Sequence, residues 1–273
     1  MTQSGVSQAL QALEQALGVT LLSRGREGIS ATEIGHQVLS DARSALQAVD
    51  RVREHCGSWA GLDKGTLRIG SVSSFATRLL PDRLRAFRTK YPGIQIALLE
   101  GSDEEVCEWV SHGAADIGLT AKSTKELDGE IVAEDDFVVV VERRHPLAST
   151  RPISIRALVG HPFIMSAAGC EPVIRSFFEE SGCAPDVAFA VRDMTALFEM
   201  VRQGLGITIV PSLSLPNDRA NLRILELRPA RRRSLLAVTK TQGQRIPAVQ
   251  AFLGFLRGKE TSLARGILTG AIP

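Results

Sequence analysis

Ser4-Gly5-Val6-Ser7-Gln8-Ala9-Leu10-Gln11-Ala12-Leu13-Glu14-Gln15-Ala16-Leu17-Gly18 places Val6, Leu10, Leu13 and Leu17 at intervals of four, three and four. That spacing is one face of an α-helix, with Ser4 in position to cap its start and Gly18 supplying the left-handed residue that closes such helices. The opposite face carries Gln3, Ser7, Gln8, Gln11 and Gln15. A Gln amide donates to and accepts from a single adenine edge, and Ser reaches bases or phosphates, so this face suits the major groove. Periodicity alone equally describes a surface helix with a solvated polar side.

The residues after Gly18 separate the two readings. Leu21-Leu22-Ser23-Arg24-Gly25-Arg26-Glu27-Gly28-Ile29-Ser30 has the Gly-broken, Arg-bearing pattern of a short β-hairpin, a wing that sets Arg24 and Arg26 against phosphates or a minor groove. Thr32 then caps a new helix at Thr32-Glu33-Ile34-Gly35. The order Ser4-x-x-Ser7-x-x-Leu10, Leu17-Gly18-Val19-x-Leu21, Arg24, Thr32-Glu33-x-Gly35 resembles the DNA-binding end of LysR-type transcriptional regulators. The resemblance implies a winged helix-turn-helix that contacts DNA through Gln3, Ser4, Ser7, Gln8, Gln11, Arg24, Arg26 and Thr32.

There are departures from the family pattern. Leu22 stands where the family usually has Phe, and Ala31 where it usually has Leu. The family also has two helices ahead of the reading helix, whereas Met1 lies at the turn itself. The expectation is therefore a partial domain, a shortened form of the regulator. The four apolar residues would each gain roughly 1.5 to 3 kcal/mol from burial, and most of the surface they need is missing. A regulator fragment with impaired DNA binding is the corresponding alternative.

From Thr32 to about Trp59, Ile34, Val38, Ala42, Ala45, Val49, Val52 and Cys56 recur at a near-heptad spacing. So long a seam seeks a partner helix, either within its own domain or in a second copy. Its place between the reading head and the turn-forming Gly61-Leu62-Asp63-Lys64-Gly65 favours dimerisation, which matches a two-fold protein to a two-fold site.

Beyond that linker, strands alternate with helices. Residues 66–71, 94–99 and 115–120 read as strands, with helices at 78–91 and 103–112 between them, and 131–142 reads as a long strand ended by His145-Pro146. The alternation resumes with strands at 163–166, 187–191 and 207–210 and helices at 171–181 and 195–203. Strands at 222–227 and 234–240 and a helix at 246–257 complete the pattern. Short apolar strands joined by helices predict parallel sheets covered on both faces, in two lobes with two crossings between them.

This half also resembles the LysR-type regulators. Leu79-Leu80-Pro81, Phe87, Tyr91-Pro92, Glu100-Gly101, Asp116-Ile117-Gly118-Leu119, His145-Pro146-Leu147-Ala148 and Gly204-Leu205-Gly206-Ile207 through Pro211 fall in family order. The resemblance implies a periplasmic-binding-protein-like (type 2) effector domain with a small molecule held between its lobes. The expected division is 1–31 for the partial winged helix-turn-helix, 32–60 for the dimerisation helix and 65–258 for the effector domain. Within the last, lobe I takes about 65–143 and 239–258, and lobe II about 146–235.

Such clefts lie at the carboxyl ends of strands. Ser73, Ser74, Ser102 and Thr120 are the candidate contacts in the first lobe; Ser166, Cys170, Met194 and Thr195 are those in the second. Helix capping explains any one of these hydroxyls equally well. An acidic or zwitterionic metabolite suits turns of this kind.

The bulk numbers narrow the alternatives. The 273 residues are 44% hydrophobic and 23% charged, an ordinary globular composition long enough for more than one domain. The net charge of +2 is no nucleic-acid signature, and the first sixty residues hold five arginines against six carboxylates. Cys56, Cys107, Cys170 and Cys183 show no C-x-x-C spacing, which reads as reduced thiols in a cytoplasmic protein; for Cys170 and Cys183 the family resemblance raises a redox switch, but burial as small hydrophobes is the expectation. No apolar run approaches a membrane span.

Gly204-x-Gly206 precedes a strand rather than joining strand to helix, no P-loop or G-x-S-x-G elbow is present, and the five histidines lack metal-ligand spacing. The chain is thus expected to be no enzyme and to need no cofactor. Arg231-Arg232-Arg233 reads as a solvated turn. The expected partners are promoter DNA, a small-molecule effector, one or three further copies of the chain, and RNA polymerase as a candidate. A stand-alone solute-binding protein shares the two-lobe architecture, but the long seam and the missing secretion signal weigh against it.

Overall fold

In the computed structural model, which describes residues 3–25, 28–39, 41–42, 45–46, 49, 65–241, 243 and 246–257, the first element is helix α1, Gln3–Leu17. Ser4, expected as its cap, falls inside it. Gly18 comes next at φ +70°, and the Val19 amide donates back to the Glu14 carbonyl at 3.3 Å. This is the Schellman ending, in which a left-handed residue lets the chain satisfy an orphan carbonyl. The Glu14 carboxylate then accepts from the Leu21 and Leu22 amides at 2.6 and 3.1 Å, tying helix to hairpin.

That hairpin is β1 (Leu22–Gly25) antiparallel to β2 (Gly28–Ala31), with Leu22 opposite Ala31. Thr32 closes its base, donating through Oγ1 to the Thr20 carbonyl at 2.8 Å and accepting from the Gly35 amide at 3.0 Å. The second bond caps helix α2, which is helical over 33–39 and at every described position up to 49. The apolar stripe of α1 is open: Val6, Leu13 and Leu17 are 52, 44 and 48% exposed, and Ile34 and Val49 of the α2 seam are exposed as well. Val52 and Cys56, expected to extend that seam, lie outside the described residues.

In the second half, β3 (Gly65–Ser71) leads through α3 (Ser73–Arg78) and α4 (Leu80–Lys90) to β4 (Ile94–Glu100), and α5 (Asp103–His112) leads to β5 (Ile117–Thr120). The sequence predicts one helix over 78–91; the structure starts earlier and breaks at Leu79. Pro81 sits in the first turn of α4, where its missing N–H costs nothing, but it could not continue α3. Both β4 and β5 run parallel to β3.

Next comes β6 (Asp128–Glu142), then β7 (Pro162–Ser166), α6 (Glu171–Glu180), β8 (Asp186–Val191), α7 (Met194–Arg202), β9 (Thr208–Pro211) and β10 (Leu222–Glu226). The chain returns along β11 (Arg232–Thr239) and ends, among the described residues, in α8 (Pro247–Arg257). The main sheet has the order β10-β6-β11-β5-β3-β4, with β9 also on β6. All pairings of β6 and β11 are antiparallel, so the sheet is mixed rather than parallel as expected. Helix-crossed strands are parallel, but β6 comes after β5 without a helix and is free to reverse.

The lobes exchange partners inside β6. Asp136 faces Arg232 of β11, while Phe137 faces Pro211 of β9. Strand pairing therefore divides the domain into 65–136 with 232–257 and 137–231, a change seven residues earlier than the expected boundary at 143. His145-Pro146, which ends the long strand in the sequence reading, lies beyond the β10 pairing and away from the crossing. The second half of β6 is buried on both faces. Phe137, Val139 and Val141 pack with Ile174 and Phe178 of α6, while Val138 and Val140 pack with Leu197, Phe198 and Val201 of α7.

In the first lobe, Leu67 and Ile69 share a core with Phe87 of α4 and Phe252 of α8, whose rings meet edge to face at 5.3 Å. On the other side, Gly118 lets α5 approach the sheet. A Cβ there would stand 2.8 Å from Val106 and Val238 and 2.9 Å from Val110. We predict that Gly118→Ala destabilises the domain by about 1–3 kcal/mol in urea unfolding, because these branched side chains have no room to yield. Gly254→Ala, at an open position of α8, stabilises it by about 0.5–1 kcal/mol.

His145 opens the short turn Pro146–Ser149, its Nδ1 accepting from the Leu147 amide at 3.2 Å and its ring 4.8 Å from that of His161. Burial, then the charge of His161, push its pKa below the ordinary 6.5 against a weaker pull from Glu142. The unfolded chain thus binds the proton more readily than the folded one. Its contribution to stability is complete above about pH 6.5 and is lost as pH falls through the lowered folded value. The melting midpoint of His145→Gln is predicted to decline less between pH 7 and 5 than that of the wild type.

Candidate functional site: the interlobe cleft and the reading helix

The carboxyl ends of β3, β4 and β8 open on a cleft of about 760 Å³. One wall comes from the first lobe: Ser73, Ser74, Thr77 and Arg78 of α3, with Glu100, Gly101, Ser102 and Glu105. The other comes from the second: residues 167–169, the Arg192-Asp193 turn, and Met194, Thr195, Phe198, Glu199 and Arg202 of α7. Residues 214–217 close one end.

Five of the sequence-predicted contacts line this space, namely Ser73, Ser74, Ser102, Met194 and Thr195. Ser102 also has a structural duty. Its Oγ accepts from the Glu105 amide at 3.2 Å, while its own amide donates to Glu105 Oε2 at 2.7 Å, a full capping box. Met194 opens α7 rather than preceding it, Thr195 follows in the first turn, and Asp193 is the cap, accepting from the Ala196 amide at 2.8 Å.

Three predicted contacts do not line the cleft. Thr120 is fully buried and donates to Asp103 Oδ1. Ser166 is buried, with its hydroxyl on Met194 Sδ at 3.6 Å. Cys170 packs against the second lobe's core, and burial pushes its thiol pKa up, away from a reactive thiolate. A strand end fixes which rim of the sheet a residue occupies, but not whether its side chain turns to solvent or to core.

Sequence reasoning missed the charges. Arg192 is exposed on the cleft wall and has no hydrogen-bond or ion-pair partner among the described residues. Arg78 donates to Asn217 Oδ1 at 2.5 Å and to the Leu215 carbonyl, both neutral, and its buried Nε has no partner among the described residues. Glu100 is likewise unpartnered among the described residues, whereas Arg202 is neutralised by Glu199. The signal was present: Arg192 fills the strand-to-helix turn before α7, and Arg78 lies one helical turn beyond Ser74.

The run Arg231-Arg232-Arg233 is no solvated turn. Arg231 pairs with Glu180 at 2.5 Å, Arg232 with Asp136 at 2.9 Å, and Arg233 with the fully buried Asp135 at 2.9 Å.

At the other end of the chain, α1 presents Ser7, Gln8, Gln11 and Gln15 to solvent. Gln3, Ser4 and Arg24 lie on α1 and β1, and Arg26 falls outside the described residues. Thr32 spends its hydroxyl on the hairpin base and the α2 cap. Among the described residues no cluster of His, Cys, Asp and Glu could hold a metal ion, and no helix is long and apolar enough to cross a membrane.

A helix-and-wing head joined to two α/β lobes around a charged cleft defines a ligand-responsive DNA-binding protein. Residues 1–36 match the bacterial regulatory helix-turn-helix of the LysR family and residues 60–260 match the LysR substrate-binding domain, so the chain belongs to the LysR family of transcriptional regulators. It is 34% identical to the probable transcriptional regulator LrrA of Synechococcus elongatus, over 94% of this chain and 88% of the relative.

The fold is that of CbnR, a LysR family regulator solved with its target DNA, with a TM-score of 0.69 at 23% identity over 94% of this chain and 90% of that one. The Synechocystis CcmR regulatory domain, solved with 2-PG, gives 0.66 at 23% identity over 71% of this chain and 96% of that one. The protein is a DNA-binding regulator with an effector domain, not an enzyme.

Proposed function

We propose that the chain reads promoter DNA through the polar face of α1, pairs with further copies through the seam of 32–60, and senses an acidic or zwitterionic metabolite in the cleft. It would do so in the cytoplasm, as reduced thiols and the family suggest. The observation that carries the effector reading is Arg192, a guanidinium without a partner among the described residues, facing a wall of Ser73, Ser74, Thr77 and Ser102. A carboxylate or phosphate between these walls gains a charge-assisted bond from one lobe and hydroxyl donors from the other. The unpartnered Glu100 offers a place for an ammonium group.

Control arises from that geometry. A ligand that touches both walls favours the arrangement in which they are close, and its differential affinity is the free energy available to shift the DNA-bound form. The CcmR regulatory domain, of the same fold, was solved in complex with 2-PG, which supports a small-molecule ligand for this domain. The α2 seam supports oligomerisation because two of its described apolar residues, Ile34 and Val49, remain exposed in the single chain and Val38 is only half-buried.

Two measurements test the reading. Fluorescence anisotropy with DNA from the region upstream of the gene is predicted to show binding that weakens steeply with salt. Gln11→Ala should lower that affinity by about 1–3 kcal/mol with no change in melting midpoint. Absence of salt-sensitive binding would refute the DNA role. For the cleft, calorimetric titration with a panel of metabolite anions is predicted to find a ligand whose affinity drops about 10- to 100-fold in Arg192→Met, the worth of one charge-assisted bond.

A further inference from the structure

Asp135 is a carboxylate with no exposure to solvent, placed one residue before the last β11 pairing of β6, where the lobes exchange partners. Such a charge persists in a protein interior only if donors surround it. Four do. Arg233 Nε and Nη2 reach its Oδ2 at 3.2 and 2.9 Å, and the Ser212 hydroxyl and Leu213 amide reach its Oδ1 at 2.6 and 3.2 Å. Arg233 is the cross-strand neighbour of Asp135 in β11, and its guanidinium lies 5.8 Å from the centre of the Phe137 ring.

The same Arg233 Nη2 also donates to Ser74 Oγ at 2.8 Å. Ser74 is buried to 6% exposure, yet it lines the cleft. A serine hydroxyl has one hydrogen to donate and two lone pairs to accept with. The arginine occupies one lone pair and cannot accept in return, so the Ser74 hydrogen must point elsewhere. No other described group takes it.

We propose that Arg233 is a positioning residue for the effector: pinned by Asp135 at the strand crossing, it holds Ser74 as a hydrogen-bond donor to an anionic group in the cleft. The inference rests on the anion reading of the cleft and adds to it a direction for one hydroxyl and a route out of the site. Asp135 also fixes Ser212 and Leu213, where the chain leaves β9 for residues 214–217 that close the cleft. Ligand, Ser74, Arg233, Asp135 and the end of β9 thereby form one continuous line of hydrogen bonds from the cleft to the hinge.

The test is a double-mutant cycle on the full chain, with phosphate, succinate and glutamate as probes in isothermal titration. Ser74→Ala and Arg233→Met are each expected to weaken the binding probe by about three- to tenfold, the worth of one neutral hydrogen bond. The double variant is expected to lose no more than either single one, since Arg233 acts through Ser74. Losses that multiply, or an Arg233→Met protein that binds like the wild type, overturn the relay while leaving the anion reading intact. Failure of all three probes to bind the wild type overturns the anion reading and the relay with it.

Should Arg233→Met leave too little folded protein, the paired change Asp135→Asn with Arg233→Met removes both buried charges together. Adding Ser74→Ala to that background is then expected to cost nothing, and a further three- to tenfold loss refutes the proposal.

Discussion

The buried pair of Asp135 and Arg233 is the constraint on which the effector domain turns. Asp135 lies on β6 and Arg233 opposite it on β11, beside the point where β6 exchanges β11 for β9 as its partner. An unpaired charge here would be severely destabilising, so the register of β6 against β11 is specified by electrostatics as well as by apolar packing. Once that register is set, the valine run of β6 has to lie between α6 and α7, and the second lobe assembles around it.

Electrostatics also give the cleft its character. Most charged groups along its walls are already engaged: Arg202 by Glu199, Asp193 by the α7 cap, Glu105 by the α5 cap. What remains is Arg192 on one side, Glu100 on the other, and Arg78, a cation satisfied only by neutral acceptors. A site is defined less by how many charges it has than by which ones the protein leaves uncompensated. Hydroxyls that double as helix caps, as Ser102 does, are held in place by that second duty and contribute rigidity to the wall.

Much of the fold was legible in the sequence. The period of Val6, Leu10, Leu13 and Leu17, the Gly18 stop and the Thr32 cap are local signals, and each corresponds to a feature of the fold. The strand and helix alternation of the second half was local as well. The point where β6 changes partners was not, because pairing is a property of two strands and leaves no mark on one. The burial of Thr120 and Ser166 was hidden for a related reason, since both sit at strand ends whose side-chain direction depends on the packed neighbours. The arginine run showed composition without geometry: three identical residues ended in three different environments, one of them against the fully buried Asp135. Arg192 was missed by placing the start of α7 one residue late.

The path of the chain through the lobes has a mechanical meaning. Residue 65 and helix α8 both belong to the first lobe, while 137–231 is inserted between the first half of β6 and β11. The second lobe therefore has no covalent route to the amino-terminal head except through the first. It behaves as a handle on two stems. Whatever it gains by gripping a ligand reaches the DNA-reading end through those two strands and the hydrogen bonds beside them, where Asp135 and Arg233 tie β6 to β11 and Arg78 reaches across to residues 215 and 217.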